Sequence, residues 1–138
     1  MIAHSEWKSG RIFTGIAENG NSVVFDAAPS HTQGPSPMEA VLMALCACTS
    51  VDVVSVLEKK RQQLEGLKVT AMAEQSDAPP RVFTKIKLTY AVSGQLSRAA
   101  VEHAIDLSKN KYCSVSKMLE KAAAIDYEIV FVDGEPLP

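Results

Sequence analysis

Apolar and polar residues alternate in three short runs near the start of the chain. The stretch "EWKSGRIFTGIAENGNSVVFDAA" carries two turn signals, Ser9-Gly10 and Asn19-Gly20. Alternation with a period of two is typical of strands that bury one face, and Asn-Gly favours a tight type I′ hairpin turn. The pattern therefore predicts three short antiparallel strands, followed by a loop in "PSHTQGPSP".

The next segment has a helical pattern, and we expect one long helix from about Pro37 to Gln63. Proline fits the first turn of a helix, and Ser36 is suited to cap it. Residues 40–51 are apolar or small on every side of this helix, and such a helix is buried on all sides. One small sheet cannot cover it. We expect either a central helix wrapped by its own chain or a dimer that supplies the other wall.

The second half of the chain returns to strands and then adds two shorter helices. The segments "LKVTAMAEQS" and "RVFTKIKLTYAVSG" predict two longer strands because they alternate and are rich in β-branched and aromatic residues. An amphipathic helix is expected in "SRAAVEHAIDLSKN", a short helix in "CSVSKMLEKAA" and a final strand in "IDYEIVFVD". The order βββ-α-ββ-αα-β lacks the regular alternation of a parallel sheet and predicts an α+β fold with antiparallel sheets.

Composition narrows the class of protein. The 138 residues are 46% hydrophobic and 22% charged, which predicts one globular domain over residues 1–138. A net charge of −2 gives no electrostatic reason to expect nucleic acid as a partner. The longest uncharged run, residues 40–51, is too short to span a bilayer, and "MIAHSEWKSG" does not resemble a secretory signal. We therefore expect a cytoplasmic protein that binds neither nucleic acid nor membrane.

Three cysteines, Cys46, Cys48 and Cys113, are the candidates for chemistry. Their odd number argues against an exported disulfide scaffold. Cys46 and Cys48 form a C-x-C pair, but residues two apart on a helix point about 200° away from each other. They cannot share a metal or a disulfide while the helix is intact. The histidines His4, His31 and His103 are scattered, so we expect no metal site and no cofactor.

Each cysteine could also be an inert core residue, since free cysteine packs like a small hydrophobe. Cys113 stands at the predicted start of a short helix, where unpaired N–H groups and the helix dipole favour a thiolate. Lys109, Lys111 and Lys117 add positive charge nearby. Cys113 is therefore either a redox-active thiol or a capping residue without chemistry.

The segments "GPSPMEAVLMALCACTSVDVV" and "KYCSVSKML" together resemble the OsmC/Ohr family of thiol peroxidases, within its OsmC-like branch. The likeness extends over nearly the whole chain and includes "APPRVFTKIKL". It implies an OsmC-like fold in which antiparallel sheets wrap around long central helices in an intertwined homodimer with two active sites at the interface. The partner chain would then cover the apolar helix.

The resemblance also implies an activity and its residues. The family's peroxide-attacking cysteine on the central helix corresponds to Cys48, and its resolving cysteine before the later short helix corresponds to Cys113. Cys46 falls where the family usually has a small residue, which suggests a packing role. The implied reaction reduces organic hydroperoxides through a Cys48 sulfenic acid and a Cys48–Cys113 disulfide, which an external dithiol of the lipoyl type then reduces.

Activation of Cys48 needs a nearby cation, because a mid-helix position is too far from the N-terminus to gain from the dipole. Peroxidases of this family use an arginine from the N-terminal region, for which Arg11 is the nearest candidate, and a glutamate near the helix start. The glutamate position, ten residues before Cys48, is Met38 here. Glu39 is one residue away, and a shift of about 100° puts its side chain on a different face. Glu39 is either a substitute for the missing glutamate or an acidic residue that caps the first turn.

Asp52 lies one helical turn after Cys48 on the same face. A bare carboxylate there disfavours a thiolate, and a carboxylate in an apolar run must be paired or hydrogen-bonded. We expect an arginine partner, Arg81 or Arg11, from the same chain or across the dimer. A Cys48–Asp52–Arg arrangement would replace the missing glutamate. In the alternative interpretation, the ion pair only ties the helix to the sheet.

Three functional hypotheses remain after these steps. The leading one is a thiol peroxidase that acts on organic hydroperoxides. The second is a non-catalytic protein that binds a small apolar ligand and has redox-responsive cysteines, and the absence of glutamate at position 38 favours it. The third is a purely structural dimer, against which the placement of the paired cysteines argues.

Replacing Asp52 by Asn distinguishes its two interpretations. If Asp52 anchors an arginine that activates Cys48, we expect Asp52→Asn to slow alkylation of Cys48 by iodoacetamide roughly tenfold, the size of effect that one charged neighbour produces. Alkylation is followed by mass spectrometry of the Cys48 peptide, and urea unfolding measures stability in parallel. Unchanged Cys48 reactivity with lowered stability would leave only the structural role.

Overall fold

The computed structural model describes residues 1–138, and its elements follow the predicted order. The strands are β1 (Ala3–Ser9), β2 (Ile12–Ala17), β3 (Ser22–Asp26), β4 (Gln63–Gln75), β5 (Phe83–Gln95) and β6 (Ala124–Phe131). The helices are α1 (Pro37–Lys59), α2 (Arg98–Leu107) and α3 (Ser114–Leu119), with a π-helical segment (Ser108–Tyr112) between α2 and α3. The α+β class is confirmed. The chain divides into two compact units, Met1–Met43 and Ala44–Pro138, and the expectation of a single domain over residues 1–138 stays a prediction.

The first unit contains the antiparallel sheet β1-β2-β3, as predicted. Its second turn is not the two-residue type I′ turn that Asn19-Gly20 suggested. The Ala17 N–H donates to the Asn21 carbonyl at 2.8 Å, so the loop has three residues, 18–20. A type I′ turn needs positive φ at both central residues, whereas only Gly20 has one in this loop (92°). Because the loop has three residues, Asn19 does not need the positive φ that a type I′ turn would require.

A buried aspartate holds the loop that follows β3. The Asp26 carboxylate accepts hydrogen bonds from the N–H groups of Ala28 (2.9 Å) and Gln33 (3.1 Å). These bonds lower the pKa of Asp26 below its ordinary value, because they favour the charged form. Asp26 therefore fixes the path of the chain between β3 and α1 by satisfying backbone groups that the loop itself leaves unpaired.

The second unit contains the sheet β4-β5-β6, whose pairing is mixed. β4 and β5 are antiparallel, as expected, but β6 runs parallel to β5. The prediction of antiparallel pairing is thus wrong for β6. Parallel neighbours need a long crossover connection, and α2, the π-helical segment and α3 supply it between β5 and β6.

The helix α1 ends at Lys59, earlier than the predicted Gln63. Arg61 adopts a left-handed conformation with φ of 55°, its N–H donates to the Glu58 carbonyl, and the Gln62 N–H donates to the Leu57 carbonyl. This pattern is a Schellman motif, which usually has glycine at the left-handed position. Because arginine occupies that position here, the sequence carried no stop signal.

Only one stripe of α1 is buried. Its buried residues recur at helical spacing and are Leu45, Thr49, Val53, Val56 and Leu57. Other apolar residues of the helix face solvent in a single chain, including Met43 (57% exposed) and Val51 (66% exposed). The apolar surface of α1 is therefore wider than the stripe that its own chain buries. This exposed apolar surface is the reason to expect a dimer.

By length and composition alone, the whole of α1 is long and apolar enough to cross a membrane, although its uncharged run is short. A core helix of a globular protein satisfies the same criterion. The absence of a membrane partner stays a prediction.

The role of Asp26 can be tested through the pH dependence of stability. A carboxyl whose pKa is lower in the folded protein stabilises the fold above its unfolded value of about 3.9, and this contribution is lost as the pH falls through the folded pKa. We expect Asp26→Asn to lower stability to urea at pH 7 and to flatten the loss of stability on acidification. Equal stability of wild type and variant at pH 7 would contradict this role. The exposed Asp77 provides a control, since Asp77→Asn should leave the stability to urea at pH 7 unchanged.

Candidate redox site

The second unit brings Cys48 and Cys113 together. Cys48 lies in α1 and is partly exposed, whereas Cys113 precedes α3 and is fully buried. The two sulfurs are neighbours, and both cysteines are in the reduced form. A partly exposed thiol beside a buried one is an arrangement in which only the first can meet a molecule from solvent.

Cys113 occupies the predicted position at the start of a helix, but without the predicted thiolate character. The Ser116 N–H points at its sulfur at 3.4 Å, as expected of a helix cap. Burial nevertheless outweighs this bond and raises the pKa of Cys113, and the adjoining Cys48 sulfur raises it further. The expectation that the helix start favours a Cys113 thiolate is therefore wrong.

The lysines expected to add positive charge near Cys113 are engaged elsewhere. Lys109 donates to the Ile125 carbonyl at 2.7 Å, and Lys117 pairs with Glu120 at 3.1 Å. Lys111 lies over the ring of Tyr112. Each of these three lysines interacts with another group, a carbonyl, a carboxylate or an aromatic ring, so none stabilises the buried thiol.

Cys46 lies on α1 and is not paired with either of the other cysteines. Burial raises the pKa of Cys46, and the Ala71 backbone in β4 offsets this only in part. Cys46 is partly buried, like Cys48, and the packing role that the resemblance implied stays a prediction.

A chain of hydrogen-bonded side chains runs next to the cysteine pair, and we call Asp52, Ser108, Thr49 and Tyr90 the hydroxyl chain. Ser108 donates to an Asp52 carboxylate oxygen at 2.9 Å. Ser108 and Thr49 are 2.8 Å apart, and Thr49 and the Tyr90 hydroxyl are 2.7 Å apart. An ionised carboxylate only accepts, so Ser108 must accept from Thr49 and Thr49 from Tyr90. Burial raises the pKa of Tyr90 to about 12, which keeps this proton in place at neutral pH.

Within the second unit, Asp52 has a serine, Ser108, as its hydrogen-bond partner and not Arg81. Arg81 lies in the exposed loop between β4 and β5, where its Nε donates to the Ser76 carbonyl at 3.3 Å. No arginine of the second unit forms a salt bridge with Asp52. The prediction of Arg81 as a partner from the same chain is wrong because the loop after β4 holds its guanidinium. An arginine supplied by a second copy stays a prediction.

The other two candidates belong to the first unit. Arg11 is exposed in the turn between β1 and β2. Glu39 accepts from the Ser36 N–H at 2.9 Å, and its own N–H donates to the Ser36 hydroxyl at 3.1 Å. This reciprocal pair is a capping box, and the bonds from Ser36 lower the pKa of Glu39. The geometry supports the capping role of Glu39, while any part of Glu39 or Arg11 in activation stays a prediction.

Thr49, Ser108 and Tyr90 were missed in the sequence. The sequence does contain a signal for Ser108, because it recurs at helical spacing with Val101, Ala104 and Ile105. In the structure all four residues are buried. A serine on such a stripe must find a partner in the core, and so must a threonine on the buried stripe of α1. No group of three or more His, Cys, Asp or Glu side chains is arranged to hold a metal ion.

Comparisons with known proteins identify the family. The family model described as "OsmC-like protein" matches residues 30–128. The chain is 44% identical to Protein YhfA of Escherichia coli strain K12 over 133 residues, covering 94% of this chain and 98% of that protein. Its fold is similar to the OsmC-like protein from Mycoplasma pneumoniae, with a TM-score of 0.83 at 19% identity over 94% of this chain and 95% of that one. It is also similar to an organic hydroperoxide resistance protein OsmC from Legionella pneumophila, with a TM-score of 0.71 at 17% identity over 94% and 95% of the two chains. The chain therefore belongs to the OsmC-like protein family.

Proposed function

We propose that this protein reduces organic hydroperoxides with Cys48 as the peroxide-attacking residue and Cys113 as the resolving residue. One observation carries the proposal: a partly exposed thiol and a fully buried thiol, distant in sequence, are neighbours in the fold. Cys48 can meet a substrate from solvent, whereas Cys113 can react only with the oxidised form of Cys48. Membership of the OsmC-like family and similarity in fold to an organic hydroperoxide resistance protein support it.

The proposed cycle has three steps. The Cys48 thiol first releases its proton, and the thiolate then attacks the terminal oxygen of the hydroperoxide. The O–O bond breaks, the departing alkoxide takes up a proton equivalent to the one that Cys48 released and leaves as an alcohol, and Cys48 becomes a sulfenic acid. The Cys113 sulfur then attacks the Cys48 sulfur, the S–O bond breaks, and hydroxide leaves as water with the Cys113 proton. An external dithiol exchanges with this disulfide and is itself oxidised to a disulfide.

The raised pKa of Cys113 suits the second step of this cycle. A buried thiol keeps its proton while Cys48 is reduced, so it does not place a second negative charge beside the Cys48 thiolate. The proton is still present when hydroxide departs from the sulfenic acid and can leave with it. Burial thus keeps Cys113 from competing for peroxide, and the departing hydroxide accepts its proton as the Cys113 sulfur becomes the nucleophile.

Activation of Cys48 is the part of the cycle that needs a cation. The lysines near Cys113 have other partners, and Arg81 is held in its loop. We propose Arg11 for this role, which the family resemblance implies for an arginine of the N-terminal region. Glu39 remains the nearest acidic residue to position 38 in the sequence, and Asp52 acts on the site through Ser108.

A homodimer in the cytoplasm is part of the proposal. Apolar residues of α1 are exposed in the single chain, and burying them against a second copy would remove them from water. The odd number of cysteines argues against an exported disulfide scaffold, which supports the cytoplasm.

Binding of a small apolar ligand without turnover is the alternative function, and one feature favours it. The first unit has an open concavity of about 560 Å³ lined by apolar side chains that include Ile16, Val23 and Phe25. Such a surface suits an apolar molecule. The alternative predicts saturable ligand binding that leaves the thiols unchanged.

The peroxidase proposal is tested by treating the protein with one equivalent of cumene hydroperoxide and measuring its intact mass and free thiols. We expect wild type to lose one pair of hydrogens as a Cys48–Cys113 disulfide. Cys113→Ser should instead gain one oxygen on Cys48, because its sulfenic acid cannot be resolved. Cys46→Ser serves as the matched control and should behave like wild type.

Thiols that survive peroxide untouched would overturn the peroxidase proposal. Saturable binding of a fluorescent fatty acid by the same sample would then support the ligand-binding alternative. A disulfide that forms equally well through Cys46 would also contradict the assignment of Cys113.

The dimer is tested by analytical ultracentrifugation of wild type and Val51→Asp. We expect wild type to sediment as a dimer and the variant to weaken the dimer roughly 100-fold or more, because an unpaired carboxylate would be buried. Val132→Asp, at an exposed valine outside α1, is the control and should remain dimeric. A wild type that is monomeric at all concentrations would refute the dimer.

A further inference from the structure

Ser108 is bonded to both cysteine-bearing segments. Its hydroxyl donates to Asp52, one helical turn after Cys48 in α1, and its carbonyl accepts from the Cys113 N–H at 2.8 Å. Ser108 is fully buried. One residue therefore joins the helix that carries Cys48 to the backbone of Cys113.

Thr49 makes the second link between these segments. It follows Cys48 directly in the chain, and its hydroxyl bonds to Ser108 on one side and to Tyr90 in β5 on the other. Every buried side-chain nitrogen and oxygen, these hydroxyls included, has a hydrogen-bond partner. Hydrogen bonds are directional, so they fix the relative position of two segments more narrowly than apolar contact does.

The segment that leads to Cys113 needs such an anchor. Residues Ser108–Tyr112 are π-helical, and the bond from the Cys113 N–H to the Ser108 carbonyl spans five residues. π-helical turns are rare and usually occur as single turns, often at functional sites. Ser108, the first residue of the segment, is bonded to α1, and the N–H of Cys113, directly after the segment, is bonded back to Ser108. The segment therefore holds Cys113 at a defined point beside Cys48.

We propose that Thr49 and Ser108 are positioning residues for the second step of the proposed cycle: their hydrogen bonds hold Cys113 beside Cys48, so that the disulfide forms quickly once Cys48 is oxidised. This inference rests on the proposed function and deepens it. Neither residue is assigned a contact with peroxide. Their effect is on the rate at which the Cys113 sulfur displaces hydroxide from Cys48, because reaction within a preset geometry avoids the cost of bringing two groups together.

Thr49 offers a matched pair of substitutions. Thr49→Val keeps the shape and removes the hydroxyl, whereas Thr49→Ser keeps the hydroxyl and removes the methyl group. After peroxide is added, intact mass follows oxidation of Cys48, and trapping with dimedone measures how long its sulfenic acid survives. We expect Thr49→Val to slow disulfide formation about tenfold or more while Cys48 oxidation changes less than about twofold. Thr49→Ser should restore disulfide formation to within about threefold of wild type.

A second variant and a control keep the test decisive if Thr49→Val does not fold. Ser108→Ala removes the hydroxyl that bonds to both Thr49 and Asp52, and it should also slow disulfide formation without slowing Cys48 oxidation. Tyr127→Phe removes a tyrosine hydroxyl bonded to Asp106 at 3.0 Å, outside the hydroxyl chain, and should leave both steps unchanged. Disulfide formation at the wild-type rate in Thr49→Val or Ser108→Ala, or equal slowing of both steps, would overturn the inference.

A second measurement separates this inference from the proposed function. The Cys48–Cys113 equilibrium can be set in a glutathione redox buffer, with no peroxide present. We expect Thr49→Val to lower the equilibrium constant for disulfide formation about tenfold, which is a shift of about 30 mV. If wild-type Cys48 does not react with peroxide, the proposed function fails. The glutathione equilibrium still tests whether Thr49 and Ser108 position Cys113. An unchanged equilibrium in a folded variant refutes positioning, whatever the reaction with peroxide.

Discussion

The Asp52 carboxylate, in the mostly apolar middle part of α1, accepts a hydrogen bond from Ser108. This bond sets the direction of the other hydrogen bonds in the hydroxyl chain. Because an ionised carboxylate can only accept, Ser108 turns its proton toward Asp52, Thr49 turns toward Ser108 and Tyr90 turns toward Thr49. The hydroxyl chain thereby links α1, the π-helical segment and β5 through polar groups buried in one core. Removing a member would leave a buried partner unsatisfied, which costs more than the bond itself contributes.

This polar core lies beside a pair of thiols in different surroundings. Cys113 is fully buried with a raised pKa, and Cys48 is partly exposed. Burial shields Cys113 from solvent, so only Cys48 can react with a molecule that arrives from solvent. The separation of roles in the proposed cycle follows from burial alone, before any activating cation is considered. Lys109, Lys117 and Arg81 have other partners and do not supply that cation.

Membership of the OsmC-like family connects these observations to the apolar character of α1. The buried stripe of the helix packs within the second unit, while Met43 and Val51 remain in contact with water in the single chain. Exposed apolar groups of this size are unfavourable in water, and a second copy would bury them. The exposed part of the helix and Cys48 belong to the same element, α1. The proposed dimer would thus be coupled to the proposed site.

Local patterns in the sequence determined the strands, the helices, the capping box at Ser36 and Glu39 and the family, because periodicity and caps depend on neighbouring residues. The Schellman stop at Arg61 escaped detection because its usual glycine is absent. Tertiary structure alone decided the parallel pairing of β6, the partner of Asp52 and the state of Cys113. Each of these depends on groups distant in sequence: a crossover returns β6 beside β5, a serine from another helix reaches Asp52, and desolvation by the surrounding core outweighs the local effect of a helix start.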